Sequence, residues 1–343
     1  KRKGNLMRWE QTKDGKLIGH QHISCEGLSI WQTHASVGVH PPNSKARLFT
    51  GSQDGGGLCL DEGGSWLSKG GPDVGCGDVW AIAVAPSDPN RIYARGCGQE
   101  FGRTENAQSA ASCADITWKV FNGDDKYFLA MPNFLSNGMI GIHPKNKNRV
   151  FFACSREIAY SADGGQSFSF HKLPNKKNPY CVYVTERAVY AAGERSGIYE
   201  STDNGKTWKK AGLNDNPPRA ITNLLKTAYK GGTFYAATSE GLFRKYPNEK
   251  WIRITRKEVP VMDVVSNPLC PKFVWIGMGY DQHGTQKGEV LVSANHGDTW
   301  RTLYEEGTPI SDLELAVGPK SPSLIISSYG HGVYTVPLTK DCN

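Results

Sequence analysis

Ser161-Ala-Asp-Gly-Gly-Gln-Ser-Phe168 and Ser201-Thr-Asp-Asn-Gly-Lys-Thr-Trp208 are two copies of one octet. Serine, aspartate, glycine and a second hydroxyl residue sit at matching places, and an aromatic closes each copy. Those residue types suit a tight β-hairpin. Aspartate accepts hydrogen bonds from nearby backbone N–H groups, glycine supplies a positive φ, and the aromatic pins the turn to its sheet. Ser293-Ala-Asn-His-Gly-Asp-Thr-Trp300 is a third copy, with Asn295 in the aspartate place. Cys59-Leu-Asp-Glu-Gly-Gly-Ser-Trp66 is a fourth, with Cys59 in the serine place. Around Trp9, Trp118 and Trp251 little more than the aromatic remains.

These seven aromatics stand roughly 40 to 57 residues apart along the chain, a period that belongs to propellers. Between them one order of segments recurs. A first strand, such as Val79-Trp-Ala-Ile-Ala-Val84, often runs into a turn rich in Pro and Asn. A second strand appears seven times, as in Arg47-Leu-Phe-Thr50, Arg91-Ile-Tyr-Ala94 and Arg149-Val-Phe-Phe-Ala153. Its β-branched and aromatic residues, small at one end, suit a strand near a crowded axis. A third strand follows a glycine-rich loop, as in Gly197-Ile-Tyr-Glu200. The pattern predicts an all-β fold, a single seven-bladed β-propeller over residues 1–343. Its blades fall near 35–70, 77–121, 137–172, 180–212, 219–255, 259–304, and 309–338 together with 5–12. The last copy stops after Val336 without a fourth strand, while Leu6-Met-Arg-Trp9 reads as a fourth strand lacking its first three. Pairing the two closes the ring and removes free sheet edges.

The octet resembles the Asp-box (BNR) repeat of sialidases, xyloglucan-active glycosidases and Vps10/sortilin-type receptor domains. Through its spacing the resemblance covers essentially the whole chain. It implies that Asp61, Ser161, Asp163, Gly165, Phe168, Ser201, Asp203, Gly205, Trp208, Asn295, Gly297 and Trp300 are structural and lie on the outer rim. Sialidases carry an Arg-Ile-Pro motif and three arginines that clamp a carboxylate. Here Arg91-Ile-Tyr93 stands in a second strand and no arginine triad is evident, so sialidase activity is not expected. The xyloglucan-active enzymes close two propellers around a cleft, whereas this chain supplies one.

Composition sets the outer bounds. No run of about 18 apolar residues exists, which excludes a membrane-spanning helix. The opening Lys1-Arg-Lys-Gly-Asn-Leu-Met has no apolar signal core, so a secreted protein would be represented here by its mature chain. The net charge of +7 is scattered in short basic groups that a solvated surface explains, with attraction to an acidic glycan or membrane surface as the alternative. No basic tract is interleaved with aromatics, which argues against nucleic acid. Nine cysteines without a CxxC pair point to disulfides and a secreted, extracellular location. Placed on the repeat, Cys97 and Cys113 are expected to bridge the insertion at Glu105–Ala114, and Cys154 shares a face with Cys181. Cys270 and Cys342 share the opposite face, and Cys59 is expected to be a free buried thiol. The odd count leaves room for an intermolecular disulfide.

Propeller ligands usually meet the face where first strands begin and the loops joining second and third strands emerge. Sorting loops by face gathers His34, Asp54, Tyr280, Asp281, His283, Tyr329 and His331 on one rim. Tyr and His beside a carboxylate suit hydrogen bonding and stacking on a sugar, or proton abstraction in a polysaccharide lyase. Plain glycine-rich loops also carry such residues. Asp263 and Asp312, with Asp78, face the axis and form a second candidate, an acidic pair for glycosidic cleavage. His20-Gln-His22 has ligand spacing but no third partner, so neither metal nor cofactor is expected. Three functions stay open: a secreted module binding a glycan or extracellular protein, a lyase or glycoside hydrolase on an anionic glycan, and a structural subunit of an extracellular assembly.

Overall fold

The computed structural model describes residues 10–11, 17–18, 33–40, 46–52, 55–61, 64–74, 77–96, 100–122, 139–154, 156–255, 259–279, 288–316, 322–329 and 332–338. Seven antiparallel meanders follow one another along the chain. Their first strands are Thr33–Val39, Val79–Ala85, Ile140–His143, Pro179–Val184, Ile221–Thr227, Val261–Ser266 and Ile310–Ala316. Each lies beside the first strand of the next sheet, and the seventh lies beside the first. The result is the seven-bladed, all-β ring, with no α-helix among the described residues. Sheets two to six have four strands. In the first sheet the fourth strand shrinks to one bridge, Cys59 to Leu67.

The core is divided among the seams between sheets. Seven apolar clusters fill seven seams, from Phe49, Ile82 and Ile92 between sheets one and two to Leu48, Ile325 and Val333 between seven and one. Each octet-position aromatic among the described residues packs into the seam with the preceding sheet. Phe168 enters the seam of sheets two and three, Trp208 that of three and four, and Trp300 that of five and six. This arrangement explains the near-regular spacing, because one large aromatic closes each seam at the rim. Near the axis the seam narrows and demands small residues. A Cβ on Gly51 would lie 2.5 Å from Val79, and one on Gly277 would lie 2.7 Å from Ile310.

Closure of sheet seven onto sheet one rests on hydroxyl groups as well as apolar contacts. Ser311 donates to the Thr33 carbonyl at 2.7 Å, Thr33 to the Ser328 carbonyl at 2.7 Å, and Ser327 to Ser36 at 2.8 Å. All are buried, so each unmet group here would cost about 1–3 kcal/mol. The expected closing strand at Leu6–Trp9 lies outside the described residues. The nearby Glu10–Gln11 and Leu17–Ile18 pair with each other.

The cysteines correct the sequence reading. Cys59 is not free: it forms a disulfide with Cys113, 54 residues away. Cys113 therefore does not bridge to Cys97. Its insertion folds back onto sheet one, where Arg47 reaches the Ala107 and Ala110 carbonyls. Among the described residues the free, buried thiols are instead Cys154 and Cys181. Cys270 is also disulfide-bonded.

Candidate functional site

In six of the seven sheets the first strand opens with a bulge at the same place. The extra residues are His34, Trp80, Tyr180, Thr222, Met262 and Ser311. A bulge re-aims side chains, and here it does so around one end of the ring. That end also carries the loops joining second and third strands.

At sheets one and two the re-aimed residues are rings. His34 stacks on Trp80 with centroids 4.5 Å apart and 22° between planes, and Tyr329 of sheet seven lies 5.9 Å from His34. His34 is only 1% exposed, and neither ring nitrogen has a hydrogen-bond partner among the described residues. Burial lowers its pKa to about 4, partly opposed by the nearby Asp78 carboxylate, so the imidazole is neutral at pH 7. Trp80 and Tyr329 keep part of their surface open. The structure thus brings together two predicted site residues, His34 and Tyr329. Asp54, Tyr280, Asp281, His283 and His331 lie outside the described residues. The simple alternation of apolar residues in Val79–Ala85 hid Trp80, because only the bulge turns it toward His34.

Farther down the axis Asp263 and Asp312 do meet, but not as a cleaving pair. Asp312 accepts from the Ser36 N–H of the next sheet at 2.6 Å, and Asp263 from the Leu313 N–H of its next sheet at 3.0 Å. Asp263 also accepts from the Asn223 amide and, at 2.6 Å, from its neighbour Val264 N–H. Burial raises the pKa of both, with Asp312 raised further by the charge on Asp263, so the pair shares a proton. A glycosidase pair needs carboxyls about 5–9.5 Å apart with a sugar between them. These two touch each other and spend their lone pairs tying sheets together. Asp78 belongs instead to the His34 end. Glu314, two residues beyond Asp312, is held up to about 8 by burial and then by the Asp263 charge. Although deep in the ring, it keeps part of its surface accessible.

The octets have a uniform geometry. Ser161 Oγ donates to Asp163 at 2.7 Å and accepts from Gly165 N–H at 2.7 Å, while Asp163 accepts from Ser167 N–H and O–H at 3.0 and 2.6 Å. Ser201, Asp203, Gly205 and Thr207 repeat the pattern. In the third copy Asn295 reverses one bond, donating to Thr299. Burial works against the Asp163 charge, but those donors hold its pKa below the ordinary carboxylate value, and the Thr207 hydroxyl leads in lowering Asp203 to about 2. Both carboxylate oxygens of Asp163 and of Asp203 accept hydrogen bonds within the turn.

Each octet turn is in turn gripped by the preceding sheet. Arg103 donates to the Gly164 carbonyl, Arg149 to Asn204, and Arg244 to His296 O and Asp298 at 2.8 and 2.6 Å. The fourth octet departs from the pattern. Asp61 accepts from Arg47 of its own sheet at 2.6 Å and from Cys113 N–H at 2.7 Å. Among the described residues no group of three His, Cys, Asp or Glu is placed to hold a metal.

No protein-family model matches this chain, and no curated protein matches it. Solved structures share its fold. It is similar to the GH74 enzyme of Niastella koreensis, with TM-score 0.64 and 16% identity over 99% of this chain and 54% of the enzyme. The GH74 xyloglucanase of Xanthomonas campestris gives TM-score 0.62 and 16% identity, covering 91% of this chain and 44% of the enzyme. An extracellular domain of a putative hybrid two component system from B. thetaiotaomicron gives 0.62 and 12%, covering 88% and 39%. The chain spans about half the length of the GH74 enzymes or less. At these identities the likeness establishes only the propeller architecture that the sheets already show.

Proposed function

We propose that this chain is an extracellular recognition module that binds a glycan or protein ligand on the face where the first strands begin. The observation that carries the reading is the His34–Trp80–Tyr329 cluster, in which Trp80 and Tyr329 stay partly open. The buried His34 ring stacks on Trp80 and holds it in place, so the open rings are ordered before a ligand arrives. Asp54, Tyr280, Asp281, His283 and His331 extend the same rim in this reading. The octet geometry supports the Asp-box resemblance, and the Cys59–Cys113 disulfide supports an oxidising location. Titration against a panel of glycans and extracellular proteins tests it. Trp80→Ala is expected to weaken binding at least ten-fold, as is the His283→Ala/His331→Ala pair. Full affinity in both variants would sink the assignment. One feature favours a hydrolase: burial and then the Asp263 charge hold the Glu314 pKa up to about 8, which suits a general acid. New reducing ends released by the parent chain and lost in Glu314→Gln would establish that second reading.

A further inference from the structure

A cleft of about 410 Å³ opens between the first and second sheets, and Val79, the residue before Trp80, is part of its lining. Its walls are Gly55–Gly57, the chain from Ser68 to Val74, Gly77, Val79, Ile116 and Trp118. Gly56 N–H donates to the Gly77 carbonyl at 2.6 Å and so ties the two loops together. A Cβ on Gly77 would meet nothing within 4 Å among the described residues. The opposite wall is packed solid. A Cβ on Gly57 would lie 2.1 Å from the Pro72 carbonyl, and one on Gly71 2.2 Å from the Gly57 carbonyl. Trp118 is fixed by its indole N–H, which donates to the Gly70 carbonyl at 3.0 Å, and the Cys59–Cys113 disulfide anchors the outer wall.

We propose that this cleft is the groove of the recognition face and that it takes an uncharged oligosaccharide, an inference resting on the recognition reading above. Its volume falls in the range of ligand sites, roughly 300–1,000 Å³. Trp118, partly exposed, offers apolar surface to the C–H face of a sugar ring, and the exposed Gly55 and Gly77 let a sugar come close to the main chain. Asp73 and Lys69 are the charged residues of the lining, one of each sign and both exposed, so the cleft holds no cationic clamp for uronates or sulfates. An extended peptide would need an open strand edge. Here Leu67 takes both main-chain bonds of Cys59, and Pro72 covers Gly57. The wall is bonded in advance, so little ordering cost remains for binding.

Calorimetric titration of the full chain with uncharged gluco-, xylo- and manno-oligosaccharides, and with uronate oligosaccharides of equal length, tests the proposal. An uncharged series is expected to bind at least ten-fold more tightly than the uronates. Ser68→Trp, an exposed change at the cleft wall, is expected to remove at least ten-fold of that affinity with the melting temperature unchanged. Retained affinity in Ser68→Trp together with loss in Trp80→Ala would overturn the cleft while leaving the recognition face standing. Preference for uronates would also overturn it. No binding by any saccharide or protein would remove both readings.

Discussion

Gly165 and Gly231 both hold positive φ, 92° and 77°, but their surroundings differ. A Cβ on Gly165 would sit 2.6 Å from the Phe101 ring of the preceding sheet, whereas one on Gly231 would meet nothing within 4 Å. Left-handed backbone costs an L-residue about 1–2 kcal/mol, and forcing atoms into a packed seam adds about 1–3. Gly165→Ala is therefore expected to lower stability by about 3 kcal/mol in denaturant titration, and Gly231→Ala by about 1. Equal losses would show that conformation alone fixes the glycine. The same logic explains why the preceding octet position accepts Asn204 and His296, with φ of 64° and 61°. Their side chains find partners that offset the backbone strain: Asn204 Oδ1 accepts from Arg149, and His296 stacks on Tyr229 of the preceding sheet with centroids 3.3 Å apart. This much was legible in the sequence because octet chemistry is local. Serine, aspartate and glycine satisfy one another within eight residues.

Between elements the decisive contacts run from one sheet to the next, and there the sequence is less explicit. Arg47, Arg91 and Arg149 begin three second strands and could be read as periodic punctuation. In the structure they are latches. Arg47 is 1% exposed and binds Asp61 at 2.6 Å, the Ala107 carbonyl at 2.7 Å and the Ala110 carbonyl at 3.1 Å. Its acceptors are mostly backbone carbonyls, which have no sequence signature. Cys59 and Cys113 were misread for a related reason: only the fold-back of the insertion onto sheet one brings them together. Arg47→Met keeps much of the volume but leaves two carbonyls without donors, so a loss of about 3 kcal/mol is expected in chemical denaturation. A change below about 0.5 kcal/mol would mean that water replaces the latch.

At the scale of the whole ring, proton uptake links the axis to stability. Asp263, Asp312 and Glu314 all have raised pKa values, chiefly through burial, so the folded chain holds protons that the unfolded chain releases. For Glu314 that stabilisation is complete below about 4.5 and is lost as pH rises through about 8. His34 acts in the opposite sense. Its pKa is lowered from 6.5 to about 4, so its contribution is present above 6.5 and is lost on acidification toward 4. Between about 4.5 and 6.5 the two slopes oppose each other, and above 6.5 only the acids act. Each proton held by the folded state alone contributes at most about 1.4 kcal/mol per pH unit. The melting temperature is therefore expected to fall between pH 6.5 and 8.5. Glu314→Gln should flatten that fall, because the amide has no proton to lose. Asp312→Asn tests the clasp more directly. It leaves an oxygen for the Ser36 N–H across the seam of sheets seven and one while removing the shared proton. If both variants keep the parent slope between pH 6.5 and 8.5, the axial acids do not govern closure.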